Sequence, residues 1–229
     1  MKALKKCYTG TKMNILNFFK TKKKLPIVLI KYGELLDPFF IFYCQNNTDL
    51  KARGSWTDWE PKTQVEINEN IKLFKEEWKK DGKKILRGIC NILELDFYRN
   101  VIPAYFVSIN PRPFSDPIVI RADYQNPKNA IDALTHEIIH VLFMDNLKKT
   151  PMSILTEMFP SETHTTQSHV IIHAVLKYIY LDVLKEPKRL ERDTARSKKH
   201  SASDYTRAWE IVEEHGYKEL IKEFIKMYK

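Results

Sequence analysis

The sequence predicts an α+β fold, in which a sheet-bearing part over residues 25–126 is followed by a helical part over residues 127–229. Short runs of β-branched and aromatic residues occur in the first part, where they flank a long stretch of helical periodicity. In the second part, apolar residues recur at three- and four-residue spacing as far as the C-terminus. We therefore expect a single domain over residues 25–229 with a small mixed sheet.

The sheet-bearing part begins with two predicted strands. Residues 26–33 and 39–44 are apolar runs bounded by turn residues. Residues 45–61 contain two asparagines, a glycine and two tryptophans, and are predicted to form an irregular loop. Residues 65–95 have helical periodicity, and the Asp-Gly pair at residues 81–82 is expected to divide them into two helices.

Two more strands and four helices complete the prediction. The strands cover residues 104–109 and 117–121, on either side of a proline-rich turn. The predicted helices cover residues 127–144, 161–184, 204–215 and 217–228. Gly216 is expected to end the third of these helices in a left-handed conformation. The polar, basic stretch between residues 185 and 204 is predicted to be a solvated loop.

Composition and charge exclude several classes of protein. With 43% hydrophobic and 12% aromatic residues among its 229, the chain is too apolar for intrinsic disorder. It has no apolar run of the roughly 18–20 residues that a membrane-spanning helix needs, so we expect no membrane span. The three cysteines are widely spaced and form no disulfide framework, which is typical of a reducing, cytoplasmic setting.

The positive charge is concentrated at the N-terminus. The formal net charge is +9, and residues 1–24 contain eight lysines and no acidic residue. We expect this basic tail to be disordered and to make at most a weak contact with nucleic acid or an anionic surface. The basic stretch at residues 185–199 is a second place where nucleic acid could bind.

The segment Thr-His-Glu-Ile-Ile-His, which ends at His140, is the clearest indication of chemical function in the sequence. On a helix, His136 and His140 lie about 40° apart, so both imidazoles can reach one metal ion. Zinc is bound well by neutral imidazole nitrogens, and Glu137 lies where it can take a proton from a water molecule at the metal. The helix is otherwise apolar, and buried histidines without a metal would need other partners.

Further candidate ligands follow on the next predicted helix. Glu162, His169 and His173 are separated by seven and four residues, so they lie on one face of that helix. If this face lies opposite the motif, one of the three would complete the metal site. The other two could orient the ligands or stabilise charge in the transition state.

The motif formed by His136, Glu137 and His140 resembles that of the zincins, a superfamily of zinc-dependent metallopeptidases. The resemblance implies a zincin-like catalytic domain with an active-site helix, in which the two histidines bind zinc and Glu137 is the general base. The glycine and third histidine that extend the motif in metzincins are absent after His140. The layout is closer to that of the gluzincins, where a glutamate on a following helix is the third ligand.

The gluzincin resemblance implies Glu162 as that third ligand, 22 residues after His140. Two positions depart from the gluzincin pattern: the usual asparagine before the glutamate is Ser161, and the usual acid four residues later is Thr166. His169 and His173 therefore stay open as alternatives.

The function predicted from these residues is that of a zinc-dependent metallopeptidase, a hydrolase that cleaves a protein or peptide substrate with metal-activated water. Tyr205 and Tyr180 are both candidates for stabilising an oxyanion, and the sequence favours neither. Two other functions stay open: a nucleic-acid-associated protein with a structural zinc site, and an inactive zincin scaffold. The intact Glu137 argues against the inactive scaffold.

Overall fold

The computed structural model describes residues 25–47, 62–199 and 203–229. The predicted basic tail and most of the predicted loop at residues 45–61 lie outside these ranges. Along the described chain the elements are β1 (Ile27–Tyr32), α1 (Asp37–Asn46), α2 (Gln64–Leu93), β2 (Val101–Val107), β3 (Phe114–Ser115), β4 (Ile118–Arg121), α3 (Pro127–Asp145), α4 (Met152–Met158), α5 (His164–Tyr178) with a π-helical end (Ile179–Val183), α6 (Pro187–Lys199), α7 (Ser203–His215) and α8 (Tyr217–Tyr228).

The α+β prediction is confirmed, because four strands form one mixed sheet and the chain after residue 127 is helical. The strand order is β1-β2-β4-β3, with β1, β2 and β4 parallel and β3 antiparallel to β4 at the edge. Ala104 in β2 lies opposite Ile30 on one side and Ile118 on the other, and all three are buried. Helices α2 and α3 pack on this sheet and form the core with it.

Residues 39–44 are helical, so the prediction of a second strand there was wrong. They belong to α1, which has Pro38 in its first turn, where proline is well tolerated. Asp37 is buried and its carboxylate accepts hydrogen bonds from the backbone N–H and the hydroxyl of Ser108, both at 2.7 Å. A short apolar run is compatible with either a strand or a helix, and this long-range polar contact fixes the helix start.

Helix α2 is continuous, so the predicted break at residues 81–82 was also wrong. A capping box between Thr63 and Glu66 starts the helix, and it then runs for 30 residues. Gly82 lies against the indole of Trp78, and a Cβ atom added there would approach that ring to 2.3 Å. The glycine is therefore a packing requirement inside the helix and does not end it.

The basic stretch at residues 185–204 is mostly helix α6, contrary to the predicted solvated loop. Arg189 in this helix is fully buried, and its guanidinium lies 2.9 Å from Asp132 of α3 and 2.8 Å from Asp81 of α2. Glu77 and Glu186 also pair with it. A buried guanidinium needs such partners, and they attach α6 to α2 and α3.

The remaining helices agree with the prediction except at their ends. Helix α3 begins at Pro127, and Gly216 separates α7 from α8 with a φ of 80°. Helix α5 begins at His164, three residues later than predicted, and the short helix α4 precedes it. Over the described ranges, the helices lack the combination of length and apolar character that crossing a bilayer requires.

Candidate metal centre

Helix α3 carries the motif, and its start and burial follow from the local sequence. The side chain of Asn126 accepts a 2.9 Å hydrogen bond from the N–H of Lys128, and Pro127 occupies the first turn. The apolar side of α3 packs on β4 and α2, while its contacts with α5 bring the two helices of candidate ligands together. His136 and His140 are half-buried and lie on the side that faces α5.

His136, His140 and His169 come together, and each offers one nitrogen within 4.8 Å of those of the others. Their ring centroids are 5.1 Å, 5.2 Å and 5.3 Å apart, close to an equilateral triangle. Three imidazoles that bind one zinc ion at tetrahedral angles, with Zn–N bonds of about 2.0–2.1 Å, have centroids roughly 5 Å apart. The three rings therefore fit a single ion of this size.

A backbone hydrogen bond sets the orientation of His169. Its Nδ1 lies 2.7 Å from the carbonyl oxygen of Thr165, one turn earlier on α5. Because a carbonyl only accepts, Nδ1 carries the proton and Nε2 is left with a lone pair. Metal-binding histidines are commonly held in this way, with the second nitrogen donating to a carbonyl or carboxylate.

Burial keeps the three imidazoles neutral. It lowers the pKa of His140 to about 3 and that of His136 well below its usual value, and the neighbouring histidines lower both further. The pKa of His169 is also lowered, mainly by burial. Neutral imidazole is the form that binds a metal ion, so burial favours the form in which these three residues could hold one.

Glu137 is buried beside this cluster and is held by the edge strand β3. Only 6% of it is exposed, and its Oε2 accepts a 2.6 Å hydrogen bond from the hydroxyl of Ser115. Burial raises the pKa of Glu137 to about 7, although the Ser115 hydrogen bond and the charge of Arg112 oppose the rise. A carboxylate with a pKa near neutrality is suited to take up and release a proton.

The structure does not bring Glu162 to the histidines. It lies in the turn before α5, and its Oε1 is 3.0 Å from the guanidinium of Arg207 on α7. His173 is closer, with its ring centroid 6.0 Å from that of His136 and 5.8 Å from that of His169, but it is not part of the group of three. Its ring stacks on Trp209 at 4.3 Å.

Tyr205 lies against the cluster, whereas Tyr180 does not face it. The Tyr205 ring centroid is 4.3 Å from that of His169 and 6.5 Å from that of His136. The buried hydroxyl of Tyr180 instead donates to Asp193 at 3.3 Å. Tyr205 is placed by its neighbour Asp204, whose carboxylate accepts hydrogen bonds from two threonines at the start of α5, Thr163 and Thr166.

Ser115 and Arg112 are the site residues that sequence reasoning missed. Both lie in or next to the two-residue strand β3, more than 20 positions before Glu137. A serine and an arginine near a proline-rich turn carry no pattern that would have distinguished them.

Comparisons of the chain with known protein families, with curated proteins and with solved structures found no match in any of the three. The function therefore has to be inferred from the geometry of the site.

Proposed function

We propose that this protein is a zinc-dependent metallopeptidase with a zincin-like catalytic domain, in which His136, His140 and His169 bind one zinc ion. The observation that carries the proposal is the close approach of three neutral imidazoles beside the buried carboxylate of Glu137. Structural zinc sites normally have four protein ligands, whereas catalytic sites have three and keep one position open. The partial exposure of His136 and His140 is consistent with an open position.

When bound, zinc would act as a Lewis acid that polarises a carbonyl group and makes water acidic enough to lose a proton near neutral pH. Glu137 is the group that takes this proton, because it is the buried carboxylate next to His136 and Ser115 holds one of its oxygens. The same carboxyl then delivers the proton to the amine that leaves. We assign to the hydroxyl of Tyr205 a hydrogen bond to the oxyanion that develops on the carbonyl.

The edge of the sheet supports a peptide as the substrate. Strand β3 pairs with β4 on one side only within the described residues, and it packs on α3 beside Glu137. An extended peptide can add to an exposed sheet edge through backbone hydrogen bonds. Such a peptide would pass directly beside the proposed general base.

One residue of the basic segment that supports the nucleic-acid alternative is not accessible. Arg189, within the stretch at residues 185–199, is buried and paired with carboxylates, so it is not available to phosphate. The basic tail, which is the other support, lies outside the described residues.

Replacing Glu137 tests the proposal. Glu137→Gln keeps the size of the side chain but removes the base, so hydrolysis of a mixed peptide library should fall at least ~10²-fold. Zinc content should not change, since Glu137 is not a ligand. Equal hydrolysis by the parent and the variant would show that Glu137 is not the base, and loss of zinc would show that its role is misassigned.

A further inference from the structure

Arg112 is an exposed arginine that the proposed mechanism does not use. It lies in the turn between β2 and β3, between Pro111 and Pro113, and proline limits the backbone conformations of such a turn. Its guanidinium carbon lies 5.8 Å from the centroid of the Phe114 ring. The next residue, Ser115, donates the hydrogen bond to Glu137. The turn therefore places Arg112 three residues before the serine that contacts the proposed general base.

The positive charge of Arg112 reaches both sides of the site. It lowers the pKa of Glu137 on α3 and acts in the same direction on that of Tyr205 on α7, although burial raises both overall. Arg112 contacts Phe114, and the adjacent Ser115 contacts Glu137, so the arginine lies near the same carboxylate.

Within the described ranges, Arg112 forms no ion pair with a carboxylate. By contrast, Arg99 pairs with Asp145, and Arg196 pairs with Asp193. An arginine that is exposed and has no carboxylate partner can bind an anionic group of a ligand.

We propose that Arg112 is a specificity-determining residue that binds a carboxylate of the substrate, so that the preferred peptides carry a negative charge close to the bond that is cleaved. This inference rests on the proposed peptidase function and specifies its substrate class. The carboxylate could belong to an acidic side chain or to the C-terminus of the peptide. Arginine can bind either through two parallel hydrogen bonds.

Zinc-binding peptide hydroxamates test this inference without turnover. Four probes are compared on the zinc-loaded protein: a glutamyl and a glutaminyl peptide hydroxamate, each with a free and with an amidated C-terminus. We expect at least one carboxylate-bearing probe to bind ~10-fold or more tightly than its neutral partner, as a charge-assisted hydrogen bond implies. The pair that shows the difference identifies the source of the carboxylate.

Two variants test whether Arg112 causes the preference for carboxylate-bearing probes. Arg112→Gln should abolish the difference between acidic and neutral probes, whereas Arg87→Gln, at an exposed position on α2, should keep it. Equal binding of the four probes by the parent, or a preference for acidic probes that survives in Arg112→Gln, would overturn the inference. Zinc content measured beforehand separates the two proposals: a zinc-free chain refutes the peptidase, and zinc-loaded protein without charge preference refutes only the role of Arg112.

Discussion

Ser115 donates a 2.6 Å hydrogen bond to Glu137 and so connects the edge strand β3 to the helix that carries the two motif histidines. The contact joins residues 22 positions apart and holds one carboxylate oxygen of a side chain that is 94% buried. This contact limits the rotamers available to the Glu137 side chain. A general base has to be held in one position to take up a proton efficiently.

Ser115→Ala should therefore impair catalysis without affecting the metal. We expect kcat for peptide hydrolysis to fall roughly 10-fold, because a hydrogen bond to a charged group contributes about 1.5–3 kcal/mol and part of it orients the base. Zinc content should equal that of the parent, as measured by elemental analysis. Ser115→Thr keeps the hydroxyl and is the control; an equal loss in both variants would assign the effect to packing of β3.

Tyr205→Phe should lower kcat by about 10²-fold, the scale on which single oxyanion donors act, with little change in KM. The ring contact with His169 is kept in this variant, so zinc affinity should not change. Steady-state kinetics on one peptide substrate gives the two constants. The exposed Tyr98 offers a matched control, and if Tyr98→Phe and Tyr205→Phe have the same kcat, Tyr205 has no part in the chemistry.

The buried ion pairs between Arg189 and its four carboxylate partners should be essential for the stability of the fold. Arg189→Met leaves Glu77, Asp81, Asp132 and Glu186 without their shared cation, and breaking a buried pair costs about 3–5 kcal/mol of unfolding free energy. Urea unfolding measures this loss. Lys188→Met, at an exposed position in the same helix, should change stability by less than ~0.5 kcal/mol. Similar losses in the two variants would show that the buried cluster does not stabilise the fold.

The loss caused by Arg189→Met should also depend on pH. Burial raises the pKa of Asp132 to about 6 despite the attraction of Arg189, so this carboxylate contributes less stability as the pH rises from about 4 through 6. Without Arg189 the pKa rises further, and the ionised form becomes more costly in the folded state. Urea unfolding at pH 5 and pH 8 should show the larger loss at pH 8, and a larger loss at pH 5 would contradict this sign.

Features encoded by local patterns could be predicted from the sequence. The periodicity and the Pro127 start predicted α3, and the four-residue spacing placed His136 and His140 on one face of it. Residues 39–44 were misassigned because their helix depends on the contact of Asp37 with Ser108, 71 positions away. Local patterns contain no information about such a partner.

The same limit applies to α6 and to the third ligand. Arg189 looked solvated because its partners Glu77 and Asp81 lie more than 100 positions earlier in the chain. The sequence placed Glu162, His169 and His173 on one helix face, but it could not show at which level α5 passes α3. That level depends on where α5 begins and on how it packs, and in the structure it brings His169 to the motif.

Zinc affinity of variants at the third ligand tests the proposed metal centre most directly. Zinc affinity is measured by competition with a chelator for the parent, His169→Ala and Glu162→Ala, after circular dichroism has shown that all three are folded. Glu162→Ala is the matched control, because it removes an acid that pairs with Arg207 on the surface near the same helix end.

We predict one zinc ion per chain in the parent and in Glu162→Ala, with equal affinity. In His169→Ala the affinity should fall by more than ~10²-fold, beyond the ~10–100-fold loss typical of residues that only orient a ligand. A parent that binds no zinc, or a folded His169→Ala variant that binds zinc as tightly as the parent, would contradict the proposed centre.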